Sequence, residues 1–247
     1  MKIFLIILSI FISNNQQADE IFKQSNDYYT NGNYEAALDG YFEIINSGFE
    51  SAELYFNVGN SFYKLNNIPE SNFYFEKALA LSPNDIDIIT NLSFAQNLRI
   101  DRIENLPITQ IQNIKISTLD LFSEKGWAYS FVISVWLFCI SLMLYLLLKD
   151  SRLKRTFFTL SIFIAVISLS SLYLNYEKKD LNNIKFAIIF DKEIEVWSEP
   201  NKISELKFLL HEGTKVKQID MIEDWVSIQL ENGTLGWIKF SGIKVLD

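Results

Sequence analysis

Two long apolar segments, separated by a short basic turn, constrain this chain more than any other feature. Trp127–Leu148 contains 22 residues and Thr156–Leu174 contains 19, and neither contains Asp, Glu, Lys, Arg or His. About 20 apolar residues in a helix span the ~30 Å hydrocarbon core of a bilayer. The turn at 149–155 carries four basic residues against one acidic residue, and short basic loops stay in the cytoplasm. The sequence therefore predicts transmembrane helices at 127–148 and 156–174, with a cytoplasmic turn and with both flanking parts of the chain outside.

The segment 1–18 has the pattern of a signal peptide. Lys2 supplies a positive charge, and Ile3–Ile12 forms an apolar run that is too short to span a bilayer. We expect residues 1–18 to be a signal peptide, with cleavage near Ser13 or Ala18. The alternative interpretation is an uncleaved membrane anchor.

Charge and residue usage exclude several classes of function. The chain has a net charge of −8, with one histidine, His211, and one cysteine, Cys139. Nucleic-acid binding requires a basic surface, which both water-soluble parts lack. With a single histidine and a single cysteine, a catalytic triad or a multi-histidine metal site would need unusual substitutes. The sequence predicts a non-enzymatic binding or scaffolding protein without a cofactor, which contacts the lipid bilayer but not nucleic acid.

Residues 19–102 contain an internal repeat. Small residues align with small ones and aromatic residues with aromatic ones, as in the pairs Ser25/Gly59, Tyr28/Phe62 and Tyr41/Phe75. This pattern resembles the tetratricopeptide repeat, a 34-residue helix–turn–helix unit that stacks into an all-α solenoid. A third unit begins at Asp85, and its second helix is not evident. We expect two repeats followed by a capping helix over Ile86–Arg102.

The first helix of each unit is expected to line a concave groove that binds partner proteins. Asn26 and Asn60 occupy equivalent positions there, and an amide can hold an extended peptide backbone. The alternative is that both are ordinary surface residues. The full predicted groove set combines aromatic and polar side chains: Phe22, Asn26, Tyr29, Phe56, Asn60, Tyr63, Lys64, Phe94 and Asn97.

Between the repeats and the first apolar segment, residues 103–126 are expected to form a linker. Its isoleucines, Ile108, Ile111, Ile114 and Ile116, suit either an amphipathic helix on the membrane or packing against the solenoid. In the hairpin itself, small residues fall on one stripe, which would let the two helices pair closely. The alternative is serine hydroxyls bonded within their own helix. The stripe consists of Ser134, Ser141, Ser161, Ala165 and Ser168.

Residues 181–247 change to a period of two, which is typical of strands. The turn Asn232-Gly233 lies between two alternating segments and predicts a hairpin. Five or six short strands in this length predict a small all-β barrel. The predicted strands are Phe186–Ile189, Glu193–Trp197, Thr214–Ile219, Trp225–Leu230 and Leu235–Lys239.

Four motifs in this region resemble the bacterial SH3-like domain, whose members bind peptides or cell-wall polymers. They begin at Val196, Leu210, Asp224 and Gly236. Trp197, Glu199 and Asp224 are the candidate residues for binding a partner or the wall. We expect Trp225 and Trp237 to belong mainly to the core, and His211 to have a structural role in its turn.

The order of these parts resembles the BatE family of the bacterial aerotolerance operon. The resemblance rests on the repeats, on Asp101–Pro107, on Gly126-Trp127-Ala128 and on the SH3-like motifs. It implies a multidomain inner-membrane protein with both domains in the periplasm, which acts as a scaffold with membrane proteins of the same complex in envelope stress or aerotolerance. The alternative is a cell-wall sensor that binds peptidoglycan through the SH3-like domain.

Overall fold

The computed structural model describes residues 2–103, 107 and 109–246. Part of the predicted linker, 104–106 and 108, lies outside the described residues, and with it Ile108 and the centre of the Asp101–Pro107 motif. The chain divides into two compact units. Met1–Asn105 and Lys185–Asp247 together form the first, and Leu106–Ile184 forms the second.

The first unit begins with five helices that stack in chain order. They are α1 (Lys2–Thr30), α2 (Tyr34–Asn46), α3 (Ala52–Lys64), α4 (Ile68–Leu81) and α5 (Ile86–Asn97). Neighbouring helices pack against each other along the series. The sequence repeat therefore produces two helix–turn–helix pairs and one further helix, α5. Helix α1 continues through residue 18, and the predicted signal peptide stays a prediction.

The N-terminal caps of the helices recur with the sequence repeat. Asn33 and Asn67, at equivalent positions of the two repeats, each accept a hydrogen bond from the backbone N–H three positions further along the chain. Ser51 and Asp85 cap α3 and α5 in the same way. A capping side chain satisfies an N–H that the helix leaves without a partner, and contributes about 1 kcal/mol. Local sequence thus places the start of every helix from α2 to α5.

The small residue in each repeat allows the two helices of a pair to approach closely. A Cβ added to Gly59 would lie 2.7 Å from the ring of Phe75, which is fully buried. In the first repeat two small residues face each other across the pair, since a Cβ on Gly40 of α2 would overlap the hydroxyl of Ser25 of α1. A small residue therefore lies at the close approach between the two helices in both pairs.

The C-terminal part of the first unit is one antiparallel sheet of seven strands in the described residues. The strands are β1 (Lys185–Ile189), β2 (Glu193–Trp197), β3 (Leu206–His211), β4 (Lys215–Ile222), β5 (Trp225–Gln229), β6 (Leu235–Lys239) and β7 (Ile243–Leu246). Their order in the sheet is β3-β2-β6-β5-β4-β1-β7. The hairpin at Asn232-Gly233 is confirmed, because β5 and β6 pair across it and Gly233 has a φ of 84°.

This sheet differs from the barrel that the sequence predicted. The pairings described leave β3 bonded only to β2 and β7 bonded only to β1, so the sheet is open at both edges. A short 3₁₀ turn, Phe240–Gly242, connects β6 to β7. Both edge strands were missing from the predicted set, because neither Leu206–His211 nor Ile243–Leu246 alternates strictly between apolar and polar residues.

The second unit contains three helices in its described part: α6 (Gln110–Leu119), α7 (Glu124–Leu147) and α8 (Ser151–Asn182). Helices α7 and α8 are long and apolar enough to cross a membrane. They pack along their lengths, and α6 contacts α8. Residues 103–126 are therefore not all linker, since α6 is a helix with a capping box at Thr109.

Serines lie along the interface between α7 and α8. Ser134, Ser141, Ser161 and Ser168 of the predicted stripe are all buried, and Ala165 is half-buried. The Ser141 hydroxyl donates to the Phe157 carbonyl of the other helix at 3.0 Å. The hydroxyls of Ser134 and Ser161 instead donate to carbonyls of their own helices. Both interpretations of the stripe therefore hold, at different serines.

We predict that Gly59→Leu lowers the stability of the helical stack by about 1–3 kcal/mol, because the added side chain must displace the Phe75 ring. The matched control is Ser93→Leu, at the exposed position of α5 that is equivalent to Gly59. Urea unfolding followed by far-ultraviolet circular dichroism measures both variants. Equal stability of the two would contradict the close contact.

Candidate partner-binding surfaces

The aromatic residues of the predicted groove lie partly inside the helical stack. Phe22 packs on Tyr41 with ring centroids 5.8 Å apart, and Phe56 packs on Phe75 at the same distance. The Tyr29 ring lies 5.3 Å from that of Tyr34. These half-buried rings, together with Tyr63 against the cluster around Phe75, help to hold the helix pairs together.

The two predicted asparagines form part of a repeating ladder between helices. Asn26 Oδ1 accepts hydrogen bonds from the Tyr41 hydroxyl at 2.6 Å and from Asn57 Nδ2 at 3.1 Å. One repeat later, Asn60 Oδ1 accepts from Asn91 Nδ2 at 3.0 Å. The oxygens of Asn26 and Asn60 are therefore engaged within the solenoid. The sequence contained a signal for Asn57 and Asn91, which also occupy equivalent repeat positions, and the prediction missed them.

The exposed part of the predicted groove lies on and beside α5. Lys64 and Asn97 are exposed, and Phe94 is 52% exposed. Helix α5 also leaves Ile86 and Ile89 exposed. Ile89 is the repeat equivalent of Tyr55, which α4 covers in the second repeat. This end of the stack therefore presents apolar area to solvent, as partner-binding surfaces often do.

At the other end, a cleft of about 400 Å³ opens between α1 and the start of α3. Its wall includes Phe22 and three acids, Asp19, Glu50 and Glu53. The hydroxyl of Tyr55 donates to Glu50 at 2.7 Å. Burial raises the pKa of Tyr55 above its ordinary value, and the bond to Glu50 adds to the shift. The cleft therefore combines acidic side chains with an apolar wall.

The three candidate residues of the sheet have separate contacts. Trp197 is half-buried and lies opposite Trp237 in the register of β2 and β6. Glu199 is exposed and accepts a bond from Asn201 in its own turn. Asp224 pairs with Lys239 at 2.5 Å, and this hydrogen bond holds the pKa of the carboxyl below its usual range. No hydrogen bond or ion pair among the described residues joins Trp197 to either acid.

The sheet contacts the helices through an acid that follows α5. Asp101 Oδ2 accepts hydrogen bonds from the His211 backbone N–H and the Thr214 hydroxyl, both at 2.7 Å. The His211 ring Nδ1 lies 2.8 Å from Asp101 Oδ1. His211 was predicted to have a structural role. Through its bonds to Asp101, it anchors the turn between β3 and β4 to the end of the helical stack.

A second set of contacts connects α4 to the sheet. Asn72 Nδ2 donates to the Gly213 carbonyl at 3.0 Å. Glu76 pairs with Lys215 at 2.6 Å, and Glu70 pairs with Lys244 at 3.2 Å. Acids of the helical stack thus meet lysines of the sheet. We call the contacts of Asp101 and of α4 with the sheet the dock.

Apolar packing crosses the dock in both directions. Ile188 of β1 is 1% exposed and belongs to the core of the helical stack. Ile103, which follows the helices, packs against the core of the sheet. Strand β1 is therefore buried on both faces, since Ala187 and Ile189 point into the sheet core. This explains why residues 186–190 form a continuous apolar run instead of alternating.

Comparison with known proteins supports the helical part alone. Residues 52–85 match the family model of the tetratricopeptide repeat. No curated protein matches the chain. The match covers the second repeat, α3 and α4, which contributes Phe56, Asn60, Tyr63 and Lys64 to the predicted groove. Among the described residues, no group of three or more His, Cys, Asp or Glu side chains could hold a metal ion.

We predict that Asp101→Ala lowers the free energy of unfolding of the first unit by about 2–3 kcal/mol, because His211 and Thr214 lose a charged acceptor. Trp197, Trp225 and Trp237 lie in the sheet, so urea unfolding followed by tryptophan fluorescence measures the loss. Asp39→Ala is the control, since Asp39 is exposed. If both variants unfold at the same urea concentration, Asp101 does not anchor the sheet.

Proposed function

We propose that this protein is a non-enzymatic scaffold, anchored in a bacterial inner membrane, that binds partner proteins through its tetratricopeptide groove. The observation that carries the proposal is the match of residues 52–85 to the tetratricopeptide repeat, within a stack that repeats its caps and its asparagine ladder at the same period. Such repeats form extended concave surfaces that suit protein recognition.

The dock supports the hairpin topology. The segments before residue 106 and after residue 184 fold into one compact unit, which supports a common compartment for both. A chain that leaves a compartment and returns to it crosses the membrane an even number of times. Helices α7 and α8 supply two crossings, and the basic turn between them favours a cytoplasmic location for that turn. On this proposal, both parts of the first unit lie in the periplasm.

From the resemblance to the BatE family, we propose that this scaffold acts in envelope stress or aerotolerance, with membrane proteins of the same complex as partners. The seven-stranded sheet is proposed to be an SH3-like domain in an open form. We propose that the main role of the sheet is structural, because its turn at His211–Thr214 is hydrogen-bonded to Asp101 of the helical part. Peptidoglycan binding by Trp197, Glu199 and Asp224 stays a sequence prediction.

The exposed end of the groove provides the test. In mild detergent, the intact protein is expected to co-purify with a membrane protein, and Phe94→Ala combined with Asn97→Ala should reduce its recovery several-fold. Phe94 contributes exposed aromatic area, which commonly dominates binding energy at interfaces. The reduction should occur without a change in thermal stability, because both side chains are exposed.

The matched control is Ile203→Ala, which removes an exposed apolar side chain from the turn between β2 and β3. Recovery of the partner should be unchanged in this variant. A partner retained equally by the double variant and by Ile203→Ala would show that the groove is not the binding surface.

A further inference from the structure

A second concave surface lies where α4 meets the sheet. It is a cleft of about 630 Å³ within the first unit, between α4 and strands β1, β4 and β7. Its volume falls in the range of ~300–1,000 Å³ that is typical of ligand sites. None of the predicted groove residues lines it. It exists because the two parts of the chain dock.

The charged residues lining this cleft are all basic. Lys77 extends from α4, Lys185 from β1 and Lys244 from β7, and no acidic residue of the described chain lines the cleft. Such a concentration is unusual in a chain with a net charge of −8. Cations gathered in a concave surface raise the local concentration of anions.

Two of these lysines have ammonium groups available to a ligand. Lys77 and Lys185 form no ion pair in the part of the chain that the structure describes. The Lys77 ammonium lies 4.8 Å from the ring centroid of Tyr55, and this contact orients its side chain without neutralising its charge. Lys244 differs, because it pairs with Glu70 at 3.2 Å and belongs to the dock.

Apolar side chains complete the cleft. Phe73 forms part of its wall and is almost fully buried. Met221 is 46% exposed and Phe240 is 40% exposed, so both offer apolar area to a ligand. Methionine is flexible and polarizable, and it adapts to side chains of different shapes. A ligand that fits must therefore combine negative charge with apolar groups.

We propose that this cleft binds an acidic peptide segment of a partner protein, with carboxylates on Lys77 and Lys185 and an apolar side chain between Met221 and Phe240. An alternation of acidic and apolar residues matches both features of the cleft, and charge-assisted hydrogen bonds from lysine to carboxylate are among the stronger polar contacts. The site is independent of the groove, so it adds a second point of attachment to the proposed scaffold.

The probe is an acetylated pentapeptide that alternates Glu with Phe and Leu and carries a neutral dye. Fluorescence anisotropy measures its binding to the full-length protein in neutral detergent. We expect Lys77→Gln combined with Lys185→Gln to weaken binding about tenfold, because two charged partners are lost. Added salt should weaken binding to the wild type as well.

Matched controls isolate the site. Lys202→Gln removes an exposed lysine from the turn between β2 and β3, and it should bind the probe as tightly as the wild type. A peptide with Gln in place of Glu should bind at least about tenfold more weakly than the probe. Phe94→Ala, in the groove, should leave probe binding unchanged. Phe240→Ala should weaken binding without altering charge, which keeps the proposal testable if the double lysine variant misfolds.

Several results would overturn the proposal. They are unchanged affinity in the lysine and Phe240 variants, equal affinity for the Gln peptide, and loss of binding in Phe94→Ala, which would place the probe in the groove. A fourth is binding of phosphatidylglycerol vesicles that depends on Lys77 and Lys185 while the peptide does not bind, because the cleft would then recognise a lipid surface.

Discussion

The carboxylate of Asp101 connects the helical stack to the sheet. It accepts bonds from the backbone of His211 and the hydroxyl of Thr214, and it lies next to the His211 ring, 110 positions along the chain. A carboxylate that receives several short bonds on a partly buried surface fixes both position and orientation. The proposed compartment of the domains, the covered face of α4 and the lysine cleft all depend on this contact and on the α4 ion pairs beside it.

The dock combines two kinds of complementarity. The helical stack is acidic, and Glu70 and Glu76 of α4 meet Lys244 and Lys215 of the sheet. Exposed ion pairs contribute little to stability, but Glu76 is nearly buried, and its pairing is needed once water is excluded. Ile188 inserts between the same elements and supplies the apolar contribution. Opposite charges and buried apolar side chains therefore both contribute to the contact between the sheet and the helical stack.

Local features of the fold were predictable from the sequence, and contacts between distant segments were not. The repeat period placed the helix pairs, and Asn232-Gly233 placed the β5–β6 hairpin, because both depend on nearby residues. Strands β3 and β7 were missed, since edge strands with one pairing partner need no strict alternation.

The bond between Asp101 and His211 joins the Asp101–Pro107 motif to the SH3-like motif that begins at Leu210. Both motifs were recognised in the sequence, but no local pattern predicts that they pair. Asn26 and Asn60 were predicted from the repeat, and the same period marks Asn57 and Asn91, but that these side chains bond to each other is known only from the structure.

Zero-length cross-linking of the full-length protein tests the dock most directly. A carbodiimide joins a carboxylate to an amine only when the two are in contact, and Glu76 Oε2 lies 2.6 Å from Lys215 Nζ. Mass spectrometry of the digested protein is expected to find a Glu76–Lys215 cross-link, which Glu76→Gln removes. Absence of that cross-link in the wild type, alongside efficient linking of Asp224 to Lys239 within the sheet, would contradict a docked first unit and the shared compartment that follows from it.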